Sequence, residues 1–333
     1  MADRLKIGVL GTGHLGKIHL KCLEQLPDRY ELMGFCDPDD EQAKAVSESF
    51  GLKRFASLAD MLQAVDVVDI VTPTITHYDM GREVLLGGKH LFIEKPVTQT
   101  VSEAAELLRL SREKNLKVQV GHVERFNPAL LSVDDLNLNP MFIEAHRLAM
   151  FNPRGTDVSV VLDLMIHDLD IILNLINSPV KDLHASGVAI LSETADICNA
   201  RIAFENGAVV NLTASRMSLK QMRKVRLFQK DAYISLDFLE KNAQVVRLFE
   251  SPDDVPAHGN LMELPTPKGT KYIHVDLPEI EPINAIKMEL ETFADAIQFQ
   301  VPVKVSLEDG YRALELAHQI NDLVVAQFEA NNE

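Results

Sequence analysis

The segment Ser159-Val-Val-Leu-Asp-Leu-Met-Ile-His-Asp-Leu-Asp-Ile-Ile-Leu173 sets one histidine and three aspartates in an otherwise apolar run. At 100° per residue, Asp163, His167 and Asp170 fall within about 60° of one another on a helix, while Asp168 points elsewhere. An unpaired charge is expensive to bury, so the stripe needs partners, a wet cavity or a chemical task. A histidine beside a carboxylate can take and return a proton near neutral pH. The bland alternatives are a satisfied core histidine or a metal-binding pair. A second competent group is Lys95, in Phe92-Ile-Glu-Lys-Pro96 at the end of an apolar run. A cation there can donate to an oxygen that gains or loses negative charge. The plainer reading is a Glu94–Lys95 pair on the surface.

A third constellation lies near the amino terminus. Gly11-Thr12-Gly13-His14-Leu15-Gly16 follows the apolar run Leu5–Leu10, opens a helical pattern, and is followed by Asp37 at the end of the next apolar run. The first glycine suits a tight turn, the second lets backbone approach a pyrophosphate, and the third lets helix and strand pack closely. The pyrophosphate would sit on amide N–H groups at the helix start. With an acidic residue about 20 positions on, the pattern predicts dinucleotide binding; a solvated turn is the alternative for Asp37. Asp37 would accept from the ribose hydroxyls. Asp37, Asp39 and Asp40 together would repel a 2′-phosphate, with no arginine or lysine beside Asp37 in sequence. The expected cofactor is therefore NAD, with NADP second.

The elements that must position these groups follow from periodicity. Up to residue 122, strand-like runs (5–10, 31–36, 67–71, 90–93, 117–120) alternate with amphipathic helical patterns (14–26, 41–50, 57–65, 77–86, 102–114). That alternation predicts an α/β Rossmann domain with a parallel sheet covered on both faces. From 123 to 333 the texture changes to a helix at about 160–174 and strands that alternate apolar and polar residues, as in 208–216 and 232–239. Asn206-Gly207 reads as a hairpin turn. This second domain is expected to be α+β with a largely antiparallel open sheet, used for substrate binding and oligomerisation. The segment 252–268 reads as a loop, and two closing helices, at 283–299 and 307–329, could pack back on the first domain.

Bulk properties narrow the partners. At 333 residues the chain exceeds the usual size of one core. A net charge of −16 argues against general nucleic-acid or membrane-surface binding. An anionic small substrate would need a local basic pocket. Three scattered cysteines suit a reducing compartment and offer no zinc site. No run reads as a leader or a membrane span, so the cytoplasm is the expected location. The second sheet has helices for one face only. Apolar positions on both sides of 207–216 favour a partner subunit, hence a homodimer or homotetramer.

The strand–GxGxxG–helix start, Glu94-Lys95-Pro96 and the later Asp-x-x-x-His on a helix together resemble the glucose–fructose oxidoreductase/inositol dehydrogenase/MocA (Gfo/Idh/MocA) family. The resemblance spans essentially the whole chain. It implies an NAD-dependent sugar dehydrogenase in which Lys95, Asp163 and His167 are catalytic and face the nicotinamide across a cleft. It also implies cofactor contacts from Thr72, Pro73, His77, Glu94 and Lys95 besides the glycine loop, and no metal. Two departures, Met165 where many members have glycine and Thr74 where many have asparagine, bear on the shape of the sugar pocket.

Gly121-His-Val-Glu-Arg-Phe-Asn-Pro128, Asn152-Pro-Arg-Gly155 and Val161–Asp170 narrow the resemblance to the subgroup that includes UDP-N-acetylglucosamine 3-dehydrogenases. In that reading a sugar 3-hydroxyl becomes a ketone, and Lys95, Asp163 and His167 touch substrate. Arg125 and Arg154, with Arg147 as a further possibility, would hold the diphosphate, because arginine's fixed donor fork suits phosphate. Two other readings stand beside it. One is a dehydrogenase of a free sugar or cyclic polyol such as inositol. The other is a non-catalytic NAD-binding regulator, against which the joint presence of Lys95, Asp163 and His167 speaks.

Overall fold

The structure is a computed structural model of the 333-residue chain. It describes residues 3–152, 158–256, 260–267 and 269–332. The chain divides into two compact units, one of residues 1–126 with 284–315 and the other of 127–283 with 316–333. Among the described residues, no helix is long and apolar enough to cross a membrane.

The first unit alternates strand and helix as the periodicity predicts. Its elements are β1 (Leu5–Leu10), α1 (His14–Glu24), β2 (Tyr30–Cys36), α2 (Asp40–Phe50), α3 (Leu58–Leu62), β3 (Val67–Ile70), α4 (His77–Leu86), β4 (His90–Glu94), α5 (Val101–Glu113) and β5 (Val118–Gly121). The strands form a five-stranded sheet in the order β2-β1-β3-β4-β5, every pair parallel. The order reverses between β1 and β3, and the carboxyl ends of strands at such a point form the binding crevice of open α/β sheets.

Three helices of this unit begin where a side chain satisfies their free N–H groups. Asp39 accepts from Gln42 N–H at 2.9 Å and caps α2, and Thr100 with Glu103 forms a capping box on α5. The helix that follows Gly13 has no such side-chain cap, so its amino-terminal N–H groups stay available to a ligand. A later helix, α8 (Ala285–Gln298), belongs to this unit. Its Leu290, Phe293, Ala294 and Ile297 join Leu20, Leu23, Ile7, Val9 and Phe92 in one core. Burying a large apolar side chain stabilises by roughly 1.5–3 kcal/mol, which is what holds α8 there.

The second unit contains α6 (Pro128–Leu131), β6 (Phe142–Leu148), α7 (Ile166–Leu175), β7 (Val180–Val188), β8 (Ile197–Phe204), β9 (Val209–Ser215), β10 (Met222–Phe228), β11 (Ala232–Asp237), β12 (Asn242–Phe249), β13 (Asn260–Thr266) and β14 (Gly269–Asp276). The closing helices are α8 (Ala285–Gln298) and α9 (Leu307–Asn332). The strands make a nine-stranded sheet, ordered β13-β14-β12-β11-β10-β6-β9-β8-β7. It is antiparallel except at β6–β9, which pair in parallel with Phe142 opposite Val209. The expected Asn206-Gly207 hairpin joins β8 to β9, with Gly207 at φ +88°.

Two local readings change. The stretch read as a loop at 252–268 contains an edge strand, β13, paired antiparallel to β14 from Asn260↔Val275 to Thr266↔Gly269. Its proline, Pro265, argued against a strand, but an edge strand tolerates proline because one side makes no ladder bonds. The helix carrying Asp163 and His167 is also not regular. A π turn covers Val161–Met165 before α7 begins, so side chains there do not follow the 100° spacing.

Candidate functional site

The glycine loop fits the three roles expected of it. Gly11 has φ +85°, and a Cβ there would lie 2.8 Å from the Val71 carbonyl. A Cβ on Gly16 would lie 2.1 Å from the Gly11 carbonyl, so only glycine lets α1 meet the loop. Around Gly13 a Cβ would meet nothing within 4 Å, which leaves open backbone where a pyrophosphate would approach. Thr12 is buried and does not point into that space. Its N–H and hydroxyl donate to Asp37 Oδ2 at 2.7 and 2.8 Å. His14 is exposed and Leu15 half-buried at the start of α1.

Asp37, 5% exposed, ends β2 beside this loop. Burial alone would raise its pKa. Hydrogen bonds from the Thr12 and Asp39 N–H groups and from the Thr12 and Gln42 side chains outweigh that and hold the carboxyl below its usual range. Asp37 is thus a fixed anion. A basic group does stand beside it in space, contrary to the sequence reading. Arg54 donates from Nη2 to the Asp37 carbonyl at 2.8 Å and from Nη1 to Asp40 Oδ1 at 2.7 Å. A short bridge between Phe35 and Arg54 brings it there from 17 residues away, a pairing that local sequence could not reveal.

Across the sheet, β4 delivers Glu94 and then Lys95. Thr72 and Pro73 follow β3, and buried His77 braces them to the neighbouring segment. Its Nε2 lies 2.9 Å from the Thr72 carbonyl and its Nδ1 2.9 Å from the Pro96 carbonyl. Burial lowers the pKa of His77, while those carbonyls oppose the shift. His77 is therefore committed to holding the two loops and is not presented to a cofactor as the resemblance implied. Lys95 itself is half-buried. His122, just past β5, shows where its charge acts: burial first, then Lys95 and Arg125, push that imidazole down to about 3.

The three arginines expected to meet an anionic substrate have separate fates. Arg125 is 5% exposed and donates from Nη2 to the Lys304 carbonyl at 3.1 Å, which suits a tie within the first unit. Arg147, on β6, makes a buried fork with Asp168, Nε to Oδ2 at 3.0 Å and Nη2 to Oδ1 at 2.8 Å. Its guanidinium is engaged as a core ion pair, and Asp168 indeed points away from the polar stripe. Arg154 lies outside the described residues, as does most of the Asn152–Gly155 motif.

On the π turn and α7, the stripe divides. Asp163 and His167 are half-buried, whereas Asp170 is 2% exposed. The first two are partly exposed to solvent. Asp170 belongs to the interior. Four groups that sequence reasoning passed over also stand near Lys95 in the first unit: His19, Asp69, His122 and Glu289. All are buried. His19 stands with Leu20, Cys22 and Leu23 on the buried face of α1, and a histidine on an apolar helix face is a signal that could have flagged it. Glu289 is a lone acid on a helix face and carries no such signal.

A family model described as "Oxidoreductase family, NAD-binding Rossmann fold" matches residues 5–122, and one described as "GFO/IDH/MocA C-terminal domain" matches residues 143–234. The chain is 34% identical, over 97% of its length and 98% of the relative's, to a UDP-N-acetylglucosamine 3-dehydrogenase from Acidithiobacillus ferrooxidans. A solved structure of the enzyme of that name from the same organism superposes with a TM-score of 0.86 at 32% identity, covering 97% of this chain and 99% of that one. A scyllo-inositol 2-dehydrogenase (NAD(+)) from Bacillus subtilis is 28% identical over 66% of this chain and 69% of its own.

Proposed function

Since the chain belongs to the Gfo/Idh/MocA family of oxidoreductases, we propose that it oxidises the 3-hydroxyl of UDP-N-acetylglucosamine, or of a related nucleotide sugar, to a ketone with NAD. The observation that carries the substrate is the 34% identity, over nearly both whole chains, to an enzyme of that name. Identity of this extent reaches the second unit, which carries Asp163 and His167, and not only the shared dinucleotide fold.

When bound on the glycine loop, the nicotinamide supplies a hydride acceptor. The protein's own residues do the rest. His167 takes the proton of the substrate hydroxyl as the hydride leaves the same carbon. Lys95 donates to that oxygen and stabilises its alkoxide character. Asp163, four residues before the histidine, orients the imidazole or binds a neighbouring hydroxyl. Asp37, ionised and fixed, takes the ribose hydroxyls and disfavours a 2′-phosphate. Arg154 completes the reading as a ligand for the diphosphate. The working form is a homodimer or homotetramer in the cytoplasm.

The test is a thermal-shift comparison of UDP-sugars with free sugars and inositols in the presence of NAD, followed by nicotinamide reduction with each hit. Stabilisation and turnover with UDP-N-acetylglucosamine are expected. Turnover of an inositol with no response to any UDP-sugar would move the assignment to the cyclic-polyol reading, which the Bacillus subtilis relative favours. Binding of NAD without turnover of any sugar would leave a regulator.

A further inference from the structure

Beneath the Glu94–Lys95 step lies a buried set of ionisable groups drawn from four elements of the first unit. His19 on α1 is 0% exposed. Its Nδ1 lies 2.9 Å from Asp69 Oδ2 on β3, and its Nε2 lies 3.2 Å from Glu94 Oε1 on β4. The other oxygen of Glu94 accepts from the Lys95 backbone N–H at 3.3 Å. Glu289, on α8, is also wholly buried, and neither of its carboxyl oxygens has a hydrogen-bond partner among the described residues. The Phe92 ring meets the His19 ring edge-on at 5.6 Å and closes the site against water.

We propose that His19 is a positioning residue for Lys95: held between Asp69 and Glu94, it seats the Glu94 carboxylate beneath the lysine's backbone N–H, with the buried Glu289 carboxyl beside it. The inference rests on the reading of Lys95 as the charge that steadies the reacting oxygen.

His19 is hydrogen-bonded to Asp69 through Nδ1 and has Glu94 within ion-pair distance of Nε2, so carboxylates at both ends of the ring favour the imidazolium. Burial opposes the charge, but attraction and hydrogen bonds from Asp69, followed by those from Glu94, raise the imidazole well above its ordinary value. One cation and two anions leave a single net negative charge. A third anion would be disfavoured there, and burial together with repulsion from Glu94 pushes Glu289 well above the usual carboxylate range against the pull of His19. The neutral residues are placed to suit. A Cβ on Gly121 would lie 2.6 Å from Glu94 Oε1, so glycine on β5 leaves the carboxylate its seat. Gln119, on the same strand, donates to the Glu289 carbonyl at 2.6 Å and fixes that helix turn. The titratable groups at the margin are Cys22, Tyr30 and His122. His122 responds to both Lys95 and Glu94, so the two charges act on the same small region.

The experiment reads the lysine directly. Reductive methylation of the full chain across a pH series, followed by peptide mass spectrometry, gives the midpoint at which the Lys95 amine becomes reactive. No substrate is needed, so failure of the sugar assignment leaves this test intact. In His19→Gln the buried carboxylates lose their cation and take up a proton. Lys95 then loses an opposing charge, and its midpoint should fall by about one pH unit. His19→Gln with Asp69→Asn removes one cation and one anion together and should restore the midpoint. Glu289→Gln, which mimics the neutral acid, should leave it unchanged. Phe92→Leu should lower the melting temperature without moving the midpoint. Should His19→Gln fail to fold, Glu94→Gln removes the same charge and should lower the midpoint alike. A folded His19→Gln or Glu94→Gln protein with the wild-type midpoint would overturn the proposal. So would one equivalent of metal per chain that Glu289→Gln removes, because ligand atoms of His19, Glu94 and Glu289 all lie within 4.8 Å of one another and a cation there would take the proton's place.

Discussion

At the scale of single residues, the sharpest expectations concern Asp37 and His167. Asp37 is an anchored anion, and Arg54, a basic side chain bonded to its carbonyl, is paired with Asp40. NADH should therefore bind more tightly than NADPH. Asp37→Ser should weaken NADH and narrow the gap. Asp40→Ala should narrow it differently, by releasing Arg54 to a 2′-phosphate and strengthening NADPH. Nicotinamide fluorescence titrations measure NADH and NADPH affinity for each protein, and equal wild-type affinities would remove the basis of the NAD assignment. His167 and Lys95 concern rate. Losing general-base assistance typically costs 10²–10⁴-fold, so His167→Ala and Lys95→Ala should each lower turnover by at least about a hundredfold. NADH affinity should stay within a few-fold, because neither change touches Gly11, Gly13 or Asp37. A His167→Ala enzyme that kept more than about a tenth of wild-type turnover, with chemistry rate-limiting, would shift the base role to Lys95.

At the scale of elements, the ion pair between β6 and α7 is a fixed joint. Arg147 and Asp168 are 3% and 4% exposed and share a two-bond fork. Arg147→Met removes one partner and should destabilise by about 3–5 kcal/mol, whereas Arg147→Met with Asp168→Leu should lose much less. Chemical denaturation followed by far-UV circular dichroism distinguishes the two cases, and equal losses would mean that the pair adds nothing beyond packing. This joint also marks what sequence could reveal. Alternating apolar strands and amphipathic helices made the parallel sheet legible, and the glycine spacing made its ligand loop legible, because both depend on local chain geometry. Asp168 was separable from Asp163 and His167 for the same reason. What stayed hidden was contact between distant segments. Arg147 looked like a phosphate ligand because its partner lies 21 residues away, and Arg54 was overlooked because a single bridge to Phe35 places it. The π turn at Val161–Met165 has no periodic signature at all, and β13 was masked by its proline and by the Pro- and Asp-rich turn before it.

At the scale of the whole molecule, the question is how many chains make the working unit. The sequence suggested that apolar residues on both faces of 207–216 would seek a partner. On β9, however, Val210, Leu212 and Ala214 are buried while the other face carries Val209, Asn211 and Thr213, a mixture that water tolerates. An exposed apolar group of residues lies further along the sheet. Edge strand β13 exposes Leu261 at 47%, Met262 at 50% and Leu264 at 42%, and Leu248 on β12 is 41% exposed. An edge strand with unpaired backbone groups and a cluster of apolar side chains invites another chain. Such strands normally carry charges or bulges that prevent association, and β13 offers one acid, Glu263, between Met262 and Leu264. A second copy of this protein covering that surface would bury these side chains at about 25 cal/mol per Å². Light scattering at micromolar concentration should give at least twice the chain mass of 37.1 kDa. Met262→Lys with Leu264→Glu should move the population toward the single-chain mass while leaving NADH affinity unchanged, since both residues belong to the second unit and the glycine loop to the first. A wild-type protein that stays at one chain mass across that range would refute the oligomer, and an oligomer indifferent to the double substitution would place its interface elsewhere.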